Sequence, residues 1–422
     1  MKVLLVGSGG REHAIVWKLK QSPKIDKIYC APGNAGIAQD AQCVPIGAME
    51  IDKLVSFAKE EGIDFTIIGM DDPLVAGVVD AFEAEGLKVF GPRKNAAIIE
   101  GSKAFSKDLM KKYGIPTAKY ETFDSYDAAK EYVSKQEMPI VIKADGLALG
   151  KGVLICQSLQ EAYDALDEIM VDKKFGASGS KVVIEEFLTG PEVSVLSFCD
   201  GKTVVPMVSA QDHKRAYDND EGLNTGGMGT FSPSRIYTPE INEECMKTIF
   251  QPTVDAMAKE GRKFVGVLYF GLMLTKDGMK VIEYNARFGD PETQVILPRL
   301  KTDLLEIMEA CVEGNLDKID IKWHDNAAVC VVLASGGYPV EYKKGYEITG
   351  LDEVAKRKDI VVFHAGTAEK DGKFVTNGGR VLGITGIGKD LDEAIKIAYE
   401  GVEMVDFKDK HFRHDIGIKI YK

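Results

Sequence analysis

A chain of 422 residues with 45% apolar content is long enough for about three domains, each with its own buried core. Its formal charge of −12 disfavours a nucleic-acid-coating role, and with no apolar run of about 18 residues nothing in it reads as a membrane span. Seven cysteines (Cys30, Cys43, Cys156, Cys199, Cys245, Cys311, Cys330) lie far apart with no C-x-x-C pair, which argues for reduced thiols and a cytoplasmic setting.

The N-terminus runs straight into a buried-strand pattern, Val3–Val6, and lacks the h-region and cleavage site of a signal peptide. Gly7-Ser8-Gly9-Gly10 follows, then an amphipathic helix from about Arg11 to Lys20. A strand, a glycine loop and a helix start offer free N–H groups to an anion, although a plain tight turn explains the same pattern. The dinucleotide fingerprint is broken: its third glycine falls at Glu12, and no acid ends the next strand, Ile28–Cys30. Pro32-Gly33-Asn34 forms a second loop at that sheet edge. A helix over about 52–61, a strand Thr66–Gly69, a helix from Pro73 to Glu85 capped by Asp72, and a strand Lys88–Phe90 complete a parallel α/β unit.

Ser102 caps a helix Lys103–Tyr113, which Gly114 and Pro116 stop. Lys103 opposes the dipole in the first turn, so an anion nearby is expected. Pro139–Lys143 and Val153–Cys156 read as two strands joined by a loop containing Gly146, Gly150 and Gly152, with Lys143 and Lys151 as charge. Such a hairpin folds over a ligand or is simply mobile; it is not a Walker loop. After strand Lys181–Glu185, the connector Phe187-Leu188 offers backbone groups and apolar cover to an adenine edge, and Glu192 a carboxylate for ribose hydroxyls.

Hairpin strands Val193–Phe198 and Thr203–Pro206 lead to a long polar loop from Gln211-Asp212-His213-Lys214-Arg215 to Asn224-Thr225-Gly226-Gly227-Met228-Gly229. Long loops inside compact domains are usually functional, and these donors suit a small zwitterion or a phosphate. A helix over about 239–260, strands Phe264–Leu274 and Lys280–Tyr284, and a helix Asp303–Glu313 follow. Glu283 and Asn285, two apart on a strand, share a face and supply hard oxygen ligands for magnesium; a solvated acidic strand end is the alternative. Arg287 continues that face towards a phosphate. Beyond Trp323 the strands Ala327–Ala334, Val361–Ala365 and Arg380–Ile384 and a helix Leu391–Val405 indicate a smaller α+β domain.

Several of these stretches occur in family order along the whole chain. They are Gly7-Ser8-Gly9-Gly10-Arg11-Glu12-His13-Ala14, Pro32-Gly33-Asn34, Glu100-Gly101-Ser102-Lys103, Lys143-Ala144-Asp145-Gly146-Leu147-Ala148, the two motifs of the polar loop, and Asn285-Ala286-Arg287-Phe288-Gly289-Asp290-Pro291-Glu292-Thr293-Gln294. On these residues the chain resembles the phosphoribosylamine–glycine ligase (glycinamide ribonucleotide synthetase) family of ATP-grasp enzymes. The resemblance implies an α/β and α+β multidomain fold: a Rossmann-like parallel-sheet domain over 1–102, an ATP-grasp region over 103–325 with a mobile ATP lid at about 120–188, and a C-terminal domain over 326–422.

Carried over by position, Lys103 and Lys143 contact ATP phosphates under the loop Gly146–Gly152. Glu185, Phe187 and Leu188 form the adenine edge, and Glu192 holds the ribose. Glu283 and Asn285 ligate Mg2+ or Mn2+. Arg287, Lys214 and Asp212 serve the chemistry. Gly9, Gly10, Asn34, Asn224, Gly226, Gly227, Met228, Gly229, Asp290, Pro291 and Glu292 line the sites for glycine and 5-phosphoribosylamine. The implied reaction joins these through a glycyl phosphate, in de novo purine biosynthesis, with transient contact to the enzyme that makes the amine. Another ATP-grasp ligase or carboxylase would keep the lysines and Glu283 but not the polar-loop motifs; a non-catalytic nucleotide-binding protein would not turn ATP over.

Overall fold

The computed structural model describes residues 1–148 and 152–418. Its N-terminal part is a five-stranded parallel sheet with Lys2–Gly7 in the middle, flanked by Lys27–Pro32 and Phe65–Ile68, with Gln42–Cys43 and Val89–Phe90 at the edges. Leu4 and Val6 enter one core while Val3 and Leu5 enter another, so both faces are covered and the strand reads as an unbroken apolar run. The helix expected over Pro73–Glu85 is two helices, Asp71–Ala76 and Val78–Ala84. Gly77 between them takes φ +100°, a left-handed conformation that ends the first helix. Asp72 lies inside the first turn rather than at the cap, which is Met70.

The middle of the chain builds two antiparallel four-stranded sheets. One has the order Val204–Pro206, Glu192–Asp200, Val265–Thr275, Gly278–Asn285. Its residues share both cores with the N-terminal sheet: Val195 and Phe270 with Leu4, Leu196 and Val267 with Leu5. These two sheets are therefore packed as one body. The helix expected over 239–260 forms as Pro239–Cys245 and Gln251–Lys259 joined by a widened turn, Met246–Phe250. Pro252, which lacks an N–H, stands in the first turn of the second helix, just past the widened turn.

The other four-stranded sheet, Tyr120–Phe123, Val182–Glu186, Ile140–Ala144, Val153–Cys156, carries its own small core of Ala129, Val133, Ile142, Ala162, Leu166 and Ile184.

The polar loop is not structureless. Gln211–Asp212 and Gly229–Ser232 are strands of a five-stranded sheet completed by Ala327–Ala334, Arg380–Gly388 and Ile360–His364, and Arg215–Tyr217 pairs with Glu221–Asn224 as a hairpin. Gly229–Ser232 adds to the edge of the Ala327–Ala334 strand, Gly229 opposite Val331 and Ser232 opposite Ala328, while Gln211–Asp212 covers the other edge of Gly229–Ser232. The loop is thus anchored to the C-terminal sheet, with helix Leu391–Met404 packed behind. Among the described residues no helix is long and apolar enough to cross a membrane.

Candidate active site

Strand Gly278–Asn285 changes phase midway. Gly271 faces Glu283 while the adjacent Leu272 faces Val281, so Ile282 is the extra residue of a β-bulge. In a regular strand Val281, Glu283 and Asn285 would share one face. The bulge sends both Val281 and Tyr284 into the core, where Tyr284 meets Phe270 edge-on and its hydroxyl lies 2.9 Å from Thr253 Oγ1. Glu283 turns the other way, into a cleft shared with Glu192, Ser194, Asp212, Lys214 and Tyr269. Gly271 makes room for it: a Cβ there would stand 2.8 Å from Glu283 Cγ.

Four cations surround Glu283. Lys214 Nζ lies 3.4 Å from its Oε1, and Lys214 with Lys143, Lys103 and Arg287 holds the carboxyl at about 2, against the effect of burial. Glu283 in turn raises the Lys214 pKa. The two side chains keep 34% and 42% of their surface accessible, so this pair adds little to stability and remains open to a ligand.

Lys143, on strand Ile140–Ala144, stands 3.0 Å from Glu185 Oε1 and donates to the bulged Ile282 carbonyl at 3.2 Å. Glu185 also pairs with Lys107 Nζ at 3.1 Å. Lys107 is 2% exposed, and burial lowers its pKa to about 8 although Glu185 opposes the shift. Lys103 donates to the Gly146 carbonyl at 2.8 Å, and burial lowers its pKa, with Lys143 adding to the effect. The anion expected at that helix start is Asp145, whose Oδ1 accepts from Ala104 N at 2.8 Å and from Ser102 Oγ at 3.0 Å.

Arg287 reaches back to the N-terminal unit. Its Nη2 lies 2.9 Å from Glu100 Oε1 and 3.5 Å from Asp71 Oδ2. Burial raises the Glu100 carboxyl to about 7 despite Arg287, whereas Arg287 and Arg11 outweigh burial at Asp71 and keep it below its usual range. Glu100 Oε2 also accepts from Ala286 N at 2.7 Å. The surroundings of the Asn285 amide assign its nitrogen to the Glu100 side, donating to Oε1 at 3.0 Å and to the Tyr284 carbonyl at 3.3 Å. Its oxygen is therefore on the side away from Glu100.

A second group adjoins the first through Lys214. Ser194 Oγ, Tyr269 OH and Glu292 Oε1 form a buried triangle with sides of 2.8, 2.9 and 3.2 Å. Burial and Glu292 raise the Asp212 carboxyl well above its usual range. Gly227 sits between Asp212 and Pro291; a Cβ there would meet Asp212 Oδ1 at 2.8 Å and Pro291 Cδ at 2.5 Å. Arg380 Nη1 donates to the carbonyls of Gly226 at 2.9 Å and Asp290 at 3.0 Å, joining the loop to the turn. Burial would raise Asp290, but Arg380 and Arg11 hold it low.

Other expected residues are placed differently. Gly9 N donates to Glu12 Oε2 at 2.6 Å and Arg11 N to Asp290 Oδ2 at 3.1 Å, so protein carboxylates already occupy the helix start. Gly10 packs against Gln294, whose Nε2 a Cβ would meet at 2.7 Å. The Asn34 amide donates to the carbonyls of Ser8 and His364 at 2.8 and 2.9 Å, which makes it a clasp to the C-terminal sheet. Met228 is fully buried, Asn224 ends the hairpin opposite Arg215, and Gly229 faces Ile416. Phe187 and Leu188 are half-buried past the end of strand Val182–Glu186, whereas the Glu185 carboxylate is enclosed between the two lysines. Glu192 is exposed, 3.8 Å from Lys214. Gly152 accepts at its carbonyl from Ala144 N at 2.8 Å, and Gly150 lies outside the described residues.

Reading the sequence assigned no role to Glu100, Asp71, Lys107, Ser194 or Tyr269. Tyr269 carried a signal, because a tyrosine within an apolar strand needs a partner for its hydroxyl.

Two antiparallel sheets, one carrying Lys143 and the other Glu283, with Lys103 at a helix start beside them, define the ATP-grasp class. Three family profiles match in turn: the phosphoribosylglycinamide synthetase N domain over residues 1–100, its ATP-grasp (A) domain over 101–293 and its C domain over 328–419. A phosphoribosylamine–glycine ligase of Caldanaerobacter subterraneus subsp. tengcongensis is 54% identical over 417 residues, covering 99% of each chain. One of Halalkalibacterium halodurans is 51% identical over 419 residues, covering 99% of this chain and 97% of that one. The crystal structure of the Thermotoga maritima ligase superposes with a TM-score of 0.86 at 37% identity, covering 99% of this chain and 100% of that one. The chain belongs to the phosphoribosylamine–glycine ligase family, an enzyme family of purine biosynthesis.

Proposed function

We propose that the cleft at Glu283 joins glycine to 5-phosphoribosylamine at the expense of ATP, giving glycinamide ribonucleotide, ADP and phosphate through a glycyl phosphate. One observation carries this reading: four cations converge on a glutamate held ionised, in an open cleft, beside a second group of carboxyls around Asp212 and Glu292. A carboxylate does not acylate an amine directly, because oxide is a poor leaving group. Transfer of the γ-phosphoryl group to the glycine carboxylate converts that oxygen into a good one, and such transfer needs positioning and charge neutralisation more than covalent help.

Lys103 and Lys143 hold the nucleotide phosphates, and Arg287 stabilises the charge on the transferred group. Phe187, Leu188 and the backbone beyond Glu186 cover the adenine, and Glu192 receives the ribose. Glu283 and Asn285 fit magnesium or manganese: an ionised carboxylate and a carboxamide oxygen on one strand face, leaving the other positions to phosphate oxygens. Such an ion would neutralise the phosphates as charge moves to the leaving oxygen.

At the second group, Asp212, which lies across Gly227 from the Asp290–Pro291 turn, takes the proton as the amine attacks the acyl carbon. Lys214 faces the developing oxyanion, and Glu292 with Gly226, Gly227 and the Asp290–Pro291 turn shapes the space for glycine and the amine. The sheet Tyr120–Phe123, Val182–Glu186, Ile140–Ala144 and Val153–Cys156, which has its own core, is the lid that closes on ATP and excludes water from the acyl phosphate. This assigns the three domains to about 1–102, 103–325 and 326–422, with Gly229–Ser232 lent to the last.

The test is phosphate release with each substrate omitted in turn. Full turnover is expected only with ATP, glycine, the amine and a divalent ion together; equal release without glycine would refute the reading.

A further inference from the structure

Glu100 is a buried carboxylate on the helix Lys94–Gly101, outside both middle sheets, yet its two oxygens meet residues 285–287, where strand Gly278–Asn285 ends. Oε2 accepts from Ala286 N at 2.7 Å, while Oε1 meets Arg287 Nη2 at 2.9 Å and the Asn285 amide nitrogen at 3.0 Å. A planar carboxamide has two chemically different sides of nearly equal shape, and only a neighbour of fixed polarity decides which side faces a ligand. With Ala286 N, Arg287 Nη2 and the Asn285 amide all on its two oxygens, Glu100 is the acceptor in each contact. It draws the NH2 of Asn285 at 3.0 Å, although Arg287 Nη2 lies 3.4 Å from the same amide position, and sends the oxygen to the opposite side. Groups behind a metal ligand commonly orient it in this way.

We propose that Glu100 is a positioning residue that fixes the Asn285 carboxamide oxygen towards the cleft, so that the strand end presents two oxygen ligands to a divalent cation rather than one oxygen and one NH2. The proposal rests on the function given above, and it makes a prediction about the pair that a merely structural role does not. Gln at position 100 keeps the size and one acceptor for Ala286 N. Its NH2, however, stands where Oε1 stood, and it turns the Asn285 oxygen towards itself and the NH2 towards the cleft. Asp at position 285 has an oxygen on both sides, so its ligating power does not depend on being turned.

The experiment is Mn2+ binding by the full chain in the presence of ADP, read by the electron paramagnetic resonance of free Mn2+, with thermal melts as a fold control. Glu100→Gln is expected to weaken Mn2+ about 10- to 100-fold, the range for groups behind a metal ligand. Asn285→Asp is expected to raise Mn2+ affinity at least tenfold more in the Glu100→Gln background than in the wild-type background. Wild-type affinity in Glu100→Gln, or the same gain from Asn285→Asp in both backgrounds, would overturn the proposal. Should Glu100→Gln alone fail to fold, Glu100→Asp, which keeps an acceptor-only group, decides: Mn2+ affinity within about fivefold of wild type supports orientation. A loss as large as that of Glu283→Gln refutes it. If Glu283→Gln binds Mn2+ with ADP as wild type does, the metal assignment itself falls and the proposal with it; an affected Glu283→Gln beside an unaffected Glu100→Gln removes the proposal alone.

Discussion

Replacing Glu283 by glutamine separates what this residue does for the fold from what it does for the reaction. Its carboxylate is 34% exposed and its nearest partner, Lys214 at 3.4 Å, is 42% exposed, so the pair is worth about 0–1 kcal/mol. That amounts to a fall in Tm of roughly 2–4 °C at most for a domain of this size. The carboxamide has the same outline, and the bulge at Ile282 and the space opposite Gly271 remain. The reaction fares differently. The variant lacks the negative charge that balances Lys214, Lys143, Lys103 and Arg287 and loses a hard anionic ligand for the nucleotide-bound ion. A loss in kcat/KM of about 10^3 or more, near 4 kcal/mol in the barrier, is expected. Initial rates of phosphate release with saturating divalent ion, set beside thermal melts, make the comparison. Near wild-type turnover, or a loss of activity matched by a large loss of Tm, would refute the reasoning.

Arg287→Ala should lower kcat about 10^2- to 10^3-fold with little change in the KM for ATP, as expected of a group that acts on charge developing in transfer; a pure KM effect would contradict this. Gly227→Ala places a methyl group 2.5 Å from Pro291 Cδ at φ +122°, so it should raise the KM for glycine and the amine well above any effect on ATP, measured by varying each substrate in turn. Acid should destabilise the protein through two buried imidazoles. Burial lowers His213 to about 4 and His364 to about 3, so both are neutral when folded and take up protons on unfolding below 6.5. Their contribution is intact above 6.5 and lost as pH falls towards 4, with His213 alone accounting for roughly 2.5 kcal/mol at pH 4.5. Urea denaturation at pH 7 and pH 4.5 should show a smaller difference for His213→Gln than for wild type; an equal difference would contradict the assignment.

The parts of this fold legible in the sequence were those set by local pattern. Strand Ala327–Ala334, helix Lys103–Tyr113 with its Ser102 cap, and the break at Gly114 all follow from apolar runs and end signals. Gly77 was not legible as a break, since one glycine in a helical pattern is usually tolerated. The polar loop was read as irregular because its short strands pair with each other, Gln211–Asp212 with Gly229–Ser232, and the latter with Ala327–Ala334, about a hundred residues away. At the site, the face shared by Glu283 and Asn285 was legible, but not how it avoids the core. That depends on a bulge created by register with Val265–Thr275, which periodicity within one strand does not contain. Likewise an anion near Lys103 was expected, but the Asp145 carboxylate found at that helix start comes from tertiary approach, which the local pattern does not contain.

The most direct test of the central claim is the fate of the glycine oxygens. With carboxyl-18O glycine, ATP, a divalent ion and freshly made phosphoribosylamine, the released phosphate should carry one 18O atom per amide formed, because the carboxylate oxygen that accepts the phosphoryl group leaves with it. Phosphate free of label, alongside normal product formation, would contradict an acyl phosphate and with it the account of this cleft.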